Sequence, residues 1–139
     1  MKTALTILIF FCSTVLLYGD TDYQLQLYEK ILPSIFSMRP LRVYVDKKTK
    51  DILKNDKWFE IMPKCDESVN VIIGKKFSDL PEVCLDKPLF ATSYRSYKNY
   101  HNSFGAFYWR KGRPQLRFKK DVLERYRLVL PESLMKFAK

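Results

Sequence analysis

Glycine and histidine are the scarce residues of this chain. Four glycines occur in 139 residues, at positions 19, 74, 105 and 112, and no two are close enough to build a phosphate-cradling loop. No Gly-x-Ser-x-Gly elbow is present to expose a serine nucleophile. His101 is the only histidine, which leaves no His/Cys set for zinc, and the two downstream cysteines do not have metal-ligand spacing. Acidic residues are scattered rather than paired, and a lone histidine in a tyrosine-rich stretch reads as a hydrogen-bonded surface residue before it reads as a general base. Nothing in these patterns argues for an enzyme, a metal or a cofactor. There is no internal repeat and no low-complexity tract.

Only one long apolar run exists, at the start. Lys2 is a short positive region, and Leu5 to Leu17 is apolar apart from Thr6, Ser13 and Thr14. With Gly19 as the small residue before a cut, residues 1–19 read as a secretory signal peptide. A retained membrane anchor is the alternative, although the run is short for a spanning helix. Cys12 follows Phe11, whereas a lipoprotein signal wants a small residue before its cysteine. Residues 20–139 then form a single domain, a length that buries about two-thirds of its chain surface.

Removing the signal leaves Cys65 and Cys84. In an oxidising compartment an even pair is a disulfide candidate, with two free buried thiols as the alternative. The bond would close a loop of about 20 residues, worth roughly 3 kcal/mol in the entropy model.

Charge is unevenly placed. Residues 20–93 carry 12 Lys/Arg and 12 Asp/Glu; residues 94–139 carry 12 Lys/Arg and 3 Asp/Glu. The mature excess therefore lies in the last third. In a cytosolic chain this would suggest nucleic acid. In an exported chain it points instead to anionic lipid headgroups or an acidic partner protein, unless it is an ordinary solvated surface.

Periodicity gives the elements. Leu25, Tyr28, Ile31, Leu32 and Ile35 have helical spacing over Asp22 to Phe36, with Pro33 expected to bend or shorten the last turn. Leu41 to Val45 alternates as a strand, Lys47 to Lys57 reads as a short helix with Ile52 and Leu53 inward, and Trp58 to Met62 as a second strand. Val69 to Ile73 is almost continuously apolar, as a central parallel strand is. Ser78 and Asp79 would cap a helix through Leu85, followed by a buried strand at Pro88 to Thr92. Strand, helix and strand imply a right-handed parallel crossover, which puts both cysteines at one sheet edge. Ser93 to Ser103 reads as a polar, aromatic loop holding Tyr94, Arg95, Tyr97 and His101, at the carboxyl end of a parallel strand where open α/β sheets place ligands. Its tyrosines packing on the sheet edge is the alternative. Near the end, Lys120 to Tyr126 reads as a helix, Leu128 to Leu130 as extended, and Pro131 as the opening of a last helix with Leu134, Met135 and Phe137 inward.

Between these lies a hairpin, Phe104 to Phe118. A two-residue turn at Lys111-Gly112 pairs Gly105 with Phe118, Phe107 with Leu116, Tyr108 with Gln115, Trp109 with Pro114 and Arg110 with Arg113. One face is then apolar. The other carries Tyr108, Arg110, Arg113, Gln115 and Arg117. A three-residue turn would slip the register and drive Phe107 and Trp109 into water, so the apolar split selects the first. The fold class that follows is α/β: a small, mostly parallel sheet flanked by helices, with a C-terminal antiparallel β-hairpin.

This arrangement resembles the YfiR-like family. The resemblance rests on an opening helix (Tyr23 to Phe36) followed by Pro40 and a strand, and on Cys65 before a buried strand. Pro88 opening the next strand, the hairpin turn ending in Gly and Arg, and the closing helix, Leu-rich step and last helix (Val122 to Phe137) complete it. Lys111 stands where the family often has Asn, and the opening helix lacks the usual aromatic-Asn run. The resemblance implies a non-catalytic periplasmic sensor or repressor, often a dimer, with redox-sensitive cysteines. It would bind the periplasmic domain of an inner-membrane diguanylate cyclase. The surface expected to do so is Tyr108, Arg110, Arg113 and Arg117, rimmed by Tyr94, Arg95 and Tyr97. A half-sized periplasmic solute-binding protein, with Tyr94 to His101 as its ligand mouth, is the competing expectation, and an envelope structural protein a third.

Overall fold

A computed structural model describes residues 22–139; the expected signal peptide, residues 1–19, lies outside them. Residues 22–36 are helical (α1) and bury Tyr28, Ile31, Leu32 and Ile35, the stripe that the spacing predicts. The helix runs three residues past Pro33 rather than stopping there. It ends where Ser37 takes a left-handed conformation (φ 54°) and the Met38 amide donates to the Pro33 carbonyl at 3.3 Å.

The chain then lays down β1 (Leu41–Val45), α2 (Lys47–Leu53), β2 (Phe59–Ile61), β3 (Val71–Gly74), β4 (Leu89–Ala91), α3 (Tyr94–Asn99), β5 (Ser103–Arg110), β6 (Arg113–Phe118) and α4 (Lys120–Arg125). One six-stranded sheet results, in the order β2-β1-β3-β4-β5-β6. The pairs β2/β1, β1/β3, β3/β4 and β4/β5 are parallel, and β6 returns antiparallel to β5. The fold is thus α/β, with a mostly parallel sheet and a hairpin near the C-terminus.

Both faces of the sheet are covered, which explains why β3 is continuously apolar. Val71 and Ile73 join Tyr28, Leu32, Phe90, Phe104, Phe107, Phe118 and Val122 in the larger core, against α1 and α4. Ile72 faces the other way, with Cys65, Cys84, Leu89, Ala91, Ala106 and Tyr108. A register shift between β4 and β5, near Leu89 and Phe90, lets Phe104 and Phe107 share the larger core. Fully burying side chains of this size contributes about 1.5–3 kcal/mol each.

The hairpin has the predicted register throughout, from Gly105 opposite Phe118 to Arg110 opposite Arg113. Lys111 (φ 51°) and Gly112 (φ 75°) both take the left-handed conformation that a tight two-residue turn requires. Cys65 and Cys84 are disulfide-bonded, with Cα atoms 6.3 Å apart, on the side of the sheet from which β3 and β4 start.

Four elements differ from expectation. The helix from Ser78 is absent; the segment holds one 3₁₀ turn, Glu82–Cys84, with Pro81 as its N-cap. Proline disfavours helical geometry at the residue before it, and Pro81 itself is extended (ψ 155°), so the segment from Ser78 does not run on as a helix. The helix expected to reach Lys57 stops at Leu53, and Asn55 turns left-handed (φ 68°). The Ser93 to Ser103 loop contains helix α3, whose N-cap Ser93 accepts a hydrogen bond from the Ser96 amide at 3.1 Å. The last helix is a 3₁₀ turn, Glu132–Phe137, and Met135 is exposed rather than inward. Beyond it, Ala138 bridges Phe118 and the Lys139 amide donates to the Phe118 carbonyl at 3.1 Å. The C-terminus therefore closes part of the open edge of β6.

Candidate functional site

The carboxyl ends of the parallel strands gather at one edge of the sheet. Strand order reverses direction at β1, which has β2 on one side and β3 on the other, and open α/β sheets bind ligands beside such a point. Asp46, just after β1, caps α2 by accepting from the Thr49 amide at 3.0 Å. Its second carboxylate oxygen accepts from the Lys75 amide, just after β3, also at 3.0 Å. That bond ties the two loops together. A side chain at Gly74 would meet the Asp46 carboxylate at 2.6 Å, so glycine permits the approach.

Next to this junction lies an open groove of about 690 Å³. Tyr108, Trp109 and Arg110 line it from the end of β5, and Arg117 from β6. Thr92, Ser93 and Tyr94 come from the end of β4 and the start of α3, and Lys48 from α2. It adjoins a second depression of about 480 Å³, which shares Lys48, Thr92, Tyr108 and Trp109 and reaches Asp46 and Lys75. The first groove contains three cations and no carboxylate. Among the described residues no Lys or Arg lies in a salt bridge; the one close ion contact is His101 Nε2 to Asp86 Oδ1 at 2.8 Å. Lys48, Arg110 and Arg117, none of them in a salt bridge, therefore present positive charge in a concave site where field is concentrated, with Asp46 and Asp51 lining the adjoining depression beside Lys48.

Of the surface residues expected from sequence, the structure brings Tyr94, Tyr108, Arg110 and Arg117 together in this groove. Arg113 and Arg95 are exposed outside it. Tyr97 is half-buried and lines a separate small cavity with Gln115 and Arg117. Burial raises the Tyr97 phenol pKa, and the nearby Arg117 charge partly opposes that. Lys119, whose pKa is lowered chiefly by burial, donates to the Tyr97 carbonyl and stands 4.7 Å from that ring.

Two corrections follow. Tyr108 is not an outward-facing member of a basic patch: it is only 7% exposed, and its ring packs 5.8 Å from that of Tyr94. Arg117 and Gln115, expected in water, are half-buried. Nor do Tyr94 and His101 form one mouth. Tyr94 begins α3 at the carboxyl edge, while His101 follows its far end, where Asn102 donates to the Lys87 carbonyl at 2.7 Å just before β4. Lys48, Thr92 and Trp109 are groove residues that sequence reading did not single out. The Ser93-x-x-Ser96 cap is the signal that would have placed α3 beside them.

No known protein-family model matches the chain, and no curated protein or solved structure matches it either. Among the described residues no helix is long and apolar enough to cross a membrane, and no cluster of three or more His, Cys, Asp or Glu is placed to hold a metal.

Proposed function

We propose that this is a non-catalytic regulatory protein of the periplasm that binds an acidic surface on a membrane partner. In this reading it works as YfiR-like repressors do, by occupying the periplasmic domain of an inner-membrane diguanylate cyclase. The observation that carries the reading is the gathering of Arg110 and Arg117 with Lys48 and Tyr94 at one edge, with none of the three cations in a salt bridge. Arg113, exposed at the hairpin turn, extends the charge beyond the groove. Tyrosine and arginine are the residue types that most often dominate binding energy. The Cys65–Cys84 disulfide suits an oxidising compartment, and the net charge of the final third suits an acidic partner.

Exposed charge of this kind sets association rate and salt dependence more than dissociation. Arg110→Glu/Arg113→Glu changes two exposed side chains and should leave the fold intact. It should weaken capture of the partner from membranes at low salt, and cells carrying it in place of the wild type should show raised cyclic di-GMP. Equal capture by both proteins at low and high salt, with unchanged cyclic di-GMP, would remove this face from the mechanism.

A further inference from the structure

The Tyr108 hydroxyl is the one buried side-chain polar atom, among the described residues, that has no hydrogen-bond partner. Folded proteins satisfy nearly all such groups, because a buried donor that gives up water and gains nothing is destabilising. An orphan of this kind calls for a use. Its surroundings suggest one. Tyr108 lies on the wall of the 690 Å³ groove, among Lys48, Arg110 and Arg117, which come from three different elements. A tyrosine hydroxyl donates to an oxyanion, and Lys and Arg only donate, so all four groups favour the same acceptor. No groove residue carries a negative charge that would compete with it.

Access and size are also defined. The ring packed against Tyr108 is that of Tyr94, which is 50% exposed at the start of α3. Exposed side chains change rotamer in picoseconds to nanoseconds, so the Tyr94 ring is free to swing away from Tyr108. Trp109, 39% exposed, lines the groove from the other face of the sheet, since consecutive strand residues point to opposite sides. An occupant therefore meets aromatic surface and cations together. The groove is of a size for a small ligand.

We infer that this groove is a binding site for a small organic anion: a carboxylate or phosphate ester on a flat apolar body. Its acid group is taken by Lys48, Arg110, Arg117 and the Tyr108 hydroxyl, and its body lies against Tyr94 and Trp109. This goes beyond partner binding and does not depend on it.

Titration of the purified protein with phenyl phosphate and with benzoate, followed by calorimetry and Trp fluorescence at low ionic strength, tests the site. At least one probe saturates the wild type, and more tightly than inorganic phosphate does. Tyr108→Phe deletes only the hydroxyl. It should weaken that probe about tenfold, as loss of a hydrogen bond to a charged group does. It should also raise Tm, because the unpaired donor is gone. A merely structural tyrosine would move Tm alone, so unchanged affinity in Tyr108→Phe overturns the inference. Absence of saturation by both probes overturns it too, as does equal binding of neutral benzyl alcohol. Arg113→Gln, which removes a charge outside the groove without placing an acid opposite Arg110, should leave probe binding within about twofold while weakening partner capture, so the two proposals fail separately.

Discussion

Replacing Gly105 by alanine tests the strand register on which the groove depends. The register sets Gly105 opposite Phe118. A Cβ at Gly105 would stand 2.7 Å from Phe118 Cδ1 and 3.0 Å from the Arg117 carbonyl oxygen. Relaxed carbon contacts lie at about 3.5–4.0 Å, so the ring would have to retreat by roughly 1 Å. It has little room to do so. Phe118 is fully buried, 6.3 Å from the Phe90 ring, and the second contact is backbone. Overpacking of this kind costs about 1–3 kcal/mol. The backbone at Gly105 is outside the left-handed region, so alanine there also gains about 0.5–1 kcal/mol over glycine from chain entropy. The net expectation is a loss of about 1–2 kcal/mol. Urea unfolding reads it as a fall in midpoint of roughly 0.5–1 M with an unchanged slope near 2 kcal/mol/M. In a Phe118→Leu background the ring contacts are relieved and only the Arg117 carbonyl contact remains, so the same substitution should cost at least about 0.5 kcal/mol less than in the wild type, a non-additivity that direct contact produces. A neutral or stabilising Gly105→Ala in the wild-type background would refute the register, and with it the placement of Tyr108, Arg110 and Arg117 on one edge.

The Cys65–Cys84 bond spans a sequence separation of 19, and its reduction should cost about 3 kcal/mol of stability. Alkylation of protein isolated without reductant, followed by intact-mass analysis, should add no label at Cys65 or Cys84; labelling of both would refute the bond. Glu29 faces Asp56, whose carboxyl hydrogen-bonds the protonated Glu29, and this with burial and like-charge repulsion raises the Glu29 pKa to about 7, with Lys57 opposing. The folded value lies above the ordinary 4.5 of a glutamate, so the contribution to stability is fully present below pH 4.5 and is lost as pH rises through about 7. Unfolding midpoints should therefore fall between those values in the wild type, and the fall should flatten in Asp56→Asn; identical pH profiles would refute the pairing.

The larger core was legible in the sequence because its signals are local and redundant. The α1 stripe has one apolar face at helical spacing. The hairpin has only one register that keeps Phe107, Leu116 and Phe118 together, and a slip by one residue would turn Phe107 away from the other two. The continuous apolar run in β3 signals a strand covered on both faces. The segment from Ser78 to Leu85 is not the expected helix because Pro81 outweighs the capping residues Ser78 and Asp79. The C-terminal pairing with Phe118 left no pattern at all, since a single bridge needs no side-chain alternation.

The site was only half legible, and the reason can be traced to one missed cap. Alternation along β5 correctly separates Phe107 and Trp109 from Tyr108 and Arg110, but alternation says which residues share a face, not whether that face is covered. In a hairpin standing alone the face of Tyr108 would meet water. Here β5 is also the partner of β4, and the chain leaving β4 folds at once into α3, which packs back over β5. Ser93, accepting from the Ser96 amide, starts that helix. Its first residue, Tyr94, is what lies against Tyr108. Read as a loop, residues 93–103 leave Tyr108 on a solvated patch with the arginines; read as a helix, they cover it and leave its hydroxyl without a partner. Cover also explains why the arginines divide as they do. Arg113, at the hairpin turn, is exposed, whereas Arg117, nearer the base, is half-buried beside Tyr97 of that helix. A basic strand face in solvent acts mainly on association rate and salt dependence. The same residues grouped around a buried donor and two aromatic rings have a shape that can discriminate, because only an anion that reaches the hydroxyl recovers its hydrogen bond.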